Sequence, residues 1–206
     1  MLWNLLIGSI LLGSVHAAIP NHWLPVVLIG RTENWSERET LGVVAISGFF
    51  HTLSTVALGV AIGAIGMKVS EQLEAQARLV ASSLLVFMGL IYFAMHQANT
   101  PHEHVPRGLA GRSKAAIITS LSVAMLFSPC LEIETFFFTA GTLGWPAITT
   151  LAIAYTVVTI ACMVGLTALS YRGLAHVDWH WLDHNEKRIT GGILIGLGIF
   201  TFFIAL

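Results

Sequence analysis

Apolar residues fall in six long stretches, separated by short polar segments. The first runs from Leu2 to Gly30 and is broken by Pro20 and Pro25. The second covers about Thr40 to Ile65. The third, about Ala77 to His96, is entered through an amphipathic lead-in from Val69 to Arg78. The fourth, Lys114 to Gly141, is broken at Pro129; the fifth runs from Pro146 to Tyr171 and the sixth from Ile189 to Leu206. A bilayer crossing needs about 20 mainly apolar residues, so each stretch predicts one transmembrane helix. The runs are continuously apolar rather than alternating, which excludes the strands of an outer-membrane barrel.

Composition strengthens that picture. Hydrophobic residues make up 55% of the chain and charged ones 10%, where soluble domains carry roughly 25% charged residues. An all-α integral membrane protein is the expectation. A net charge of −1 gives a nucleic-acid partner no electrostatic basis. Cys130 and Cys162 both lie in apolar runs, so no secreted disulfide framework is implied. The opening MLWNLLIGSILLGSVHAA lacks the basic region of a cleaved signal peptide and reads as the first span. Arg31, Arg38, Arg107, Arg112, Lys114, Arg172, Lys187 and Arg188 fall in connectors on one side, leaving Lys68 and Arg78 for the other. The positive-inside rule then predicts both termini outside a multi-pass protein of the inner (plasma) membrane.

The chain divides into residues 1–96, a linker at 97–113 and residues 114–206. Each flanking part has three spans, and the first span of each is broken by a proline beside polar residues, at Pro20-Asn21-His22 and at Ser128-Pro129-Cys130. Three spans per half invert the second half relative to the first. Six helices in two inverted three-helix repeats, with helices one and four broken, is the arrangement of secondary transporters.

Ionisable residues at membrane depth are costly and mark functional sites. His16 and His22 are six apart and would point about 240° apart on an unbroken helix. A break at Pro20 lets His16, Asn21 and His22 turn towards one point. Neutral imidazole is the commonest metal ligand and suits nickel, cobalt, copper or zinc. The alternative makes them polar residues near the outer surface, with Trp23 as an interfacial anchor. His51 lies well within the second span beside Thr52, Ser54 and Thr55, as a further ligand, a proton relay or a histidine bonded to a neighbouring helix. In the fourth span Glu132 and Glu134, two apart, cannot share a helical face; one of them faces the central cavity. Cys130 is either a thiolate ligand or a small residue for close packing. In the inside connectors, His102 and His104 form a His/acid tract. His176, His180 and His184 recur every four residues, the spacing of a chelating stripe on a helix or of an interfacial helix anchored by Trp179 and Trp181. Such tracts would collect metal on the inner side.

These residues carry a resemblance. His16-Ala-Ala-Ile-Pro-Asn21-His22 resembles the HxxxxDH signature of nickel/cobalt transporters, with Asn21 in place of aspartate. Gly48-Phe-Phe-His51-Thr-Leu-Ser54 resembles their second-span motif, and Ser128-Pro129-Cys130 the SPC element of the wider LysE superfamily. That group includes NicO/RcnA-like exporters, urease-accessory UreH-like proteins and CcdA/DsbD electron conduits. The resemblance implies a transporter rather than an enzyme, with no permanently bound cofactor. It would carry a divalent ion, nickel or cobalt first and zinc, manganese or copper as alternatives. His16, Asn21, His22 and His51 would form the ion site, with Cys130 and Glu132 approaching from the fourth span. Glu132 and Glu134 can supply the charge that Asn21 lacks. The inside histidines favour export. The implied partners are the lipid bilayer, the metal ion, a soluble metallochaperone and, in a homo-oligomer, further copies of the chain. Two other functions remain open: a thiol–disulfide conduit through Cys130 and Cys162, and an accessory subunit for metalloenzyme maturation.

Overall fold

Polar punctuation sets the helix ends. The computed structural model describes residues 2–19, 22–72 and 113–171, together with helical positions at 83, 86–87, 89–91, 93–94, 185, 188–189, 191–192, 194–196 and 198–199. Six helices have defined bounds: α1 Leu2–Ala18, α2 Leu24–Thr32, α3 Glu37–Gln72, α4 Lys114–Leu126, α5 Glu134–Gly141 and α6 Trp145–Tyr171. No strand occurs among the described residues. Two helical stretches, Glu37–Val69 and Trp145–Tyr171, are long and apolar enough to cross a membrane.

Between α2 and α3 the chain reverses within four residues. Asn34 takes the left-handed conformation at φ 54°, Trp35 N–H donates to the Gly30 carbonyl at 2.7 Å and Asn34 N–H to that of Arg31 at 3.3 Å. This pair satisfies the last carbonyls of α2 in a Schellman motif. Ser36 then caps α3: its N–H donates to Glu39 Oε2 at 2.8 Å, and Glu39 N–H donates back to Ser36 Oγ at 3.3 Å, a capping box. The Ser113 hydroxyl accepts from Ala116 N–H and starts α4.

Two sequence expectations are corrected. Pro25 lies in the first turn of α2, where its missing N–H is one of the helix-start orphans; it begins a helix rather than breaking one. The second span does not stop near Ile65, because α3 continues through Lys68 and Val69 to Gln72. Gly66 does not end it: a Cβ there would strike the Phe138 carbonyl, so the residue serves helix contact. The break in the first span lies between Ala18 and Leu24. In the fourth, Phe127–Ile133 separates α4 from α5 around Pro129. Pro20 and Asn21 lie outside the described residues, as do His102, His104, His176, His180 and His184.

α1 packs along α6, and α4 and α5 along α3. Gly13 lies against Tyr155 and Thr159, and Gly30 against Tyr171, so α1–α2 and α6 run in the same direction. Glu39 pairs with Lys114, Thr55 with Cys130 and Gly63 with Gly141, so α3 and α4–α5 also run together. The Gly63–Gly141 approach is backbone to backbone. A Cβ on Gly141 would overlap the Gly63 carbonyl, the small-residue contact that lets helices meet closely in a bilayer. At one end of the molecule Arg31 donates to the Ser170 carbonyl at 3.0 Å, Tyr171 to that of Trp35 at 3.2 Å, and Lys114 sits 5.1 Å over the Trp35 ring.

The core forms two clusters. One is built on Leu5, Leu12, Phe136, Phe137, Ile148 and Tyr155; the other on Ala17, Trp23, Val26, Val43, Val44 and Met163. α1 gives Leu12 to the first and Ala17 to the second, while α3 gives Val56 and Val60 to the first and Val43 and Val44 to the second. His16 and His51 fall at the junction.

Candidate functional site

The junction is polar and closed. His16 is 5% exposed, His22 8% and His51 1%. His16 lies in the last turn of α1, two residues before its end; His22 sits in the interruption; His51 comes from the middle of α3. His16 Nε2 and His22 Nε2 are hydrogen-bonded at 2.9 Å, so one ring nitrogen carries the proton and the other accepts it. Ring centroids are 4.8 Å apart for His16–His22 and His22–His51, and 5.9 Å for the nearly parallel His16–His51 pair. One ligand nitrogen from each ring lies within 4.8 Å of the other two. Donors bound tetrahedrally at about 2.0–2.1 Å stand roughly 3.4 Å apart, a spacing inside the 4.8 Å limit of this set.

Two nitrogens of this set lack a partner on one ring alone. His51 Nδ1 and Nε2 are both buried without a hydrogen bond, as is His16 Nδ1. The carbonyls of Met125, in the last turn of α4, and of Ser128, in the second break, lie beside His51 without closing one. Burying a polar atom unsatisfied costs about 1–3 kcal/mol, and a bound cation removes that cost.

The second break supplies different chemistry. The Cys130 thiol donates to Glu132 Oε2 at 2.8 Å, and both residues are buried. His16, Cys130 and Glu132 form a further group whose donor atoms lie within 4.8 Å of one another. Thr55, one turn after His51, ties the break to α3: its hydroxyl accepts from Cys130 N–H at 3.0 Å and donates to the His51 carbonyl at 2.9 Å.

Of the residues singled out in the sequence, the structure brings His16, His22, His51, Cys130 and Glu132 together. Glu134 is not in either group. It is the first residue of α5, buried, with both carboxylate oxygens free of hydrogen bonds. Between the two carboxylates, Glu132 therefore faces the histidines. Tyr155 was not marked by the sequence reading. Its buried hydroxyl lies near Cys130, Thr55 and Thr159 without a hydrogen bond of good geometry. The available signal was a phenol inside an apolar span, with Thr159 one turn later. Cys130 and Cys162 are both free thiols and belong to separate packing clusters. No family model, curated protein or solved structure matches the chain, so the chemistry of the site is read from its own residues.

Proposed function

We propose that this chain is a six-span transporter of a divalent transition-metal ion in the inner membrane, not an enzyme, built as two inverted three-helix halves with both termini outside. The observation that carries the reading is the convergence of three buried imidazoles within 4.8 Å, drawn from a helix interruption and a neighbouring helix. Nitrogen donors at this spacing suit nickel, cobalt, zinc and copper and disfavour magnesium or calcium. Nickel or cobalt comes first through the resemblance of the His16–His22 and His51 motifs, and export is favoured over uptake.

The distribution of side chains supports a bilayer setting. Trp3, Ile7, Phe49, Phe127, Ile153 and Val157 face outward, while Ser47, Thr52, Thr135, Thr139 and Thr167 are buried. Large apolar side chains outside and hydroxyls inside reverse the usual arrangement of a soluble domain. Helix pairing supports the repeat. α1, which leads into the first break, packs in parallel on α6; α4, which leads into the second, packs in parallel on α3. Gly89 and Gly191, from the third and sixth spans of the sequence, lie against each other. Exchanging the halves maps these contacts onto one another. Because the imidazoles must be neutral to ligate, protons compete with the ion and binding weakens as pH falls. The electron-conduit alternative finds no dithiol pair, with Cys130 and Cys162 in different clusters.

The test is ion uptake into proteoliposomes, scanning nickel, cobalt, zinc, manganese and copper, for the native chain and for His16→Ala and His22→Ala. Movement of one ion down its gradient, stopped by both substitutions, is the expected result. Equal flux in native and substituted chains would sink the reading.

A further inference from the structure

His16 belongs to both donor groups found among the described residues. Its Nε2 is engaged with His22 Nε2 at 2.9 Å, while its Nδ1 is buried without a partner. The groups differ in kind. His16, His22 and His51 offer three neutral nitrogens; His16, Cys130 and Glu132 offer one nitrogen, a sulfur and a carboxylate oxygen. The sulfur and oxygen already meet at 2.8 Å, and Thr55 holds the Cys130 backbone against the turn of α3 that bears His51. A single ion served by both groups has to exchange ligands, because one imidazole stands between them.

The geometry points to two alternative positions for one ion, a nitrogen position at His16, His22 and His51 and a sulfur–oxygen position at His16, Cys130 and Glu132, with His16 the shared pivot. This rests on the metal-transport reading and adds a route to it: the ion passes from the first broken helix to the second by exchanging partners around His16. Entry into the second position breaks the Cys130 S–H bond and forms a metal–sulfur bond; the proton leaves to water and no electron moves. The thiolate and carboxylate then match the charge of a divalent ion. Soft and borderline ions suit both positions, whereas magnesium and calcium prefer all-oxygen sets. The substrate class is thus a divalent ion that accepts both imidazole and thiolate.

Cobalt(II) is the probe, because thiolate ligation gives it a near-ultraviolet charge-transfer band that nitrogen ligation lacks. The detergent-purified full chain is titrated while bound cobalt is counted by equilibrium dialysis, and cobalt still held by a His16→Ala chain is subtracted as bound outside the two groups, on the connector histidines among others. The native chain is expected to bind one cobalt with a partial band. His51→Ala should bind one cobalt with the band at least doubled at saturation, and Cys130→Ser one cobalt without a band. Glu132→Gln, which retains the thiol, should lower the band and serves if Cys130→Ser does not fold. Two ions per native chain, or complete loss of cobalt from a folded Cys130→Ser chain, would overturn the alternation. Cobalt bound with no band in either the native or the His51→Ala chain removes the second position and leaves the histidine site standing. Failure of every chain to bind cobalt defeats both readings.

Discussion

The two helix interruptions do different jobs with the same backbone device. The first, between α1 and α2, presents imidazoles and opens into a helix of which Val26, Val27, Ile29 and Gly30 are buried. The second, between α4 and α5, presents a thiol and a carboxylate and opens into a helix whose every residue is buried. The cause lies in α3. Gly59, Gly63 and Gly66 follow one another at helical spacing; Gly59 admits the Phe137 ring, and Gly63 and Gly66 the backbone of α5, while α2 has its close glycine approach to α3 at Gly30 and Thr40. The thiol and carboxylate thus sit at the break held by Thr55, and the His16–His22 imidazoles at the other. Charge at low dielectric is costly unless paired, so on the proposed function the more firmly packed break carries the groups whose charge the ion would match.

The comparison breaks most completely at His16, which both donor groups share. His16→Ala should lower cobalt affinity by more than about 100-fold, beyond the 10–100-fold typical of outer-shell losses, whereas His22→Ala or Cys130→Ser, each removing one position, should cost less. Equilibrium dialysis of the three chains ranks them, and equal losses would mean that His16 is not the pivot. Next in size is the packing of the second break. Gly141→Leu forces a side chain into the Gly63 backbone and should cost about 3 kcal/mol or more, seen as a lower unfolding midpoint in detergent; Gly42→Leu, with nothing within 4 Å, should leave it unmoved.

A smaller effect is expected at the clasp. Thr55→Val strands the Cys130 N–H at about 1–3 kcal/mol, and hydrogen exchange should rise at the second break before the first. Uniform acceleration at both would show that Thr55 stabilises the bundle without favouring one break. The smallest contrast separates the carboxylates. Glu132→Gln should lower the cobalt charge-transfer band while weakening total binding by no more than about twofold, because the nitrogen position remains; Glu134→Gln should leave the band unchanged, since Glu134 stands outside both groups. The reverse order would place Glu134 at the ion.

Apolar periodicity and proline placement made the helical class, the two breaks and the residues beside them legible from the sequence, because each depends on neighbours a few positions away. The starts of α4 and α6 near Lys114 and Pro146 belong to the same local physics. Helix-start prolines and mid-helix prolines look alike in a string, so the role of Pro25 waited for the fold. So did the far end of α3, since a glycine such as Gly66 punctuates a sequence but becomes a contact surface when Phe138 packs on it. The choice of Glu132 over Glu134 depended on the turn at 131–133 replacing a helix. The meeting of His51 with His16 and His22, and of Cys130 with Thr55, depended on how three helices are rotated about their axes. Residue types and spacings carry the chemistry of the donors; only packing sets those rotations, because they are decided by glycine contacts between residues far apart in the chain.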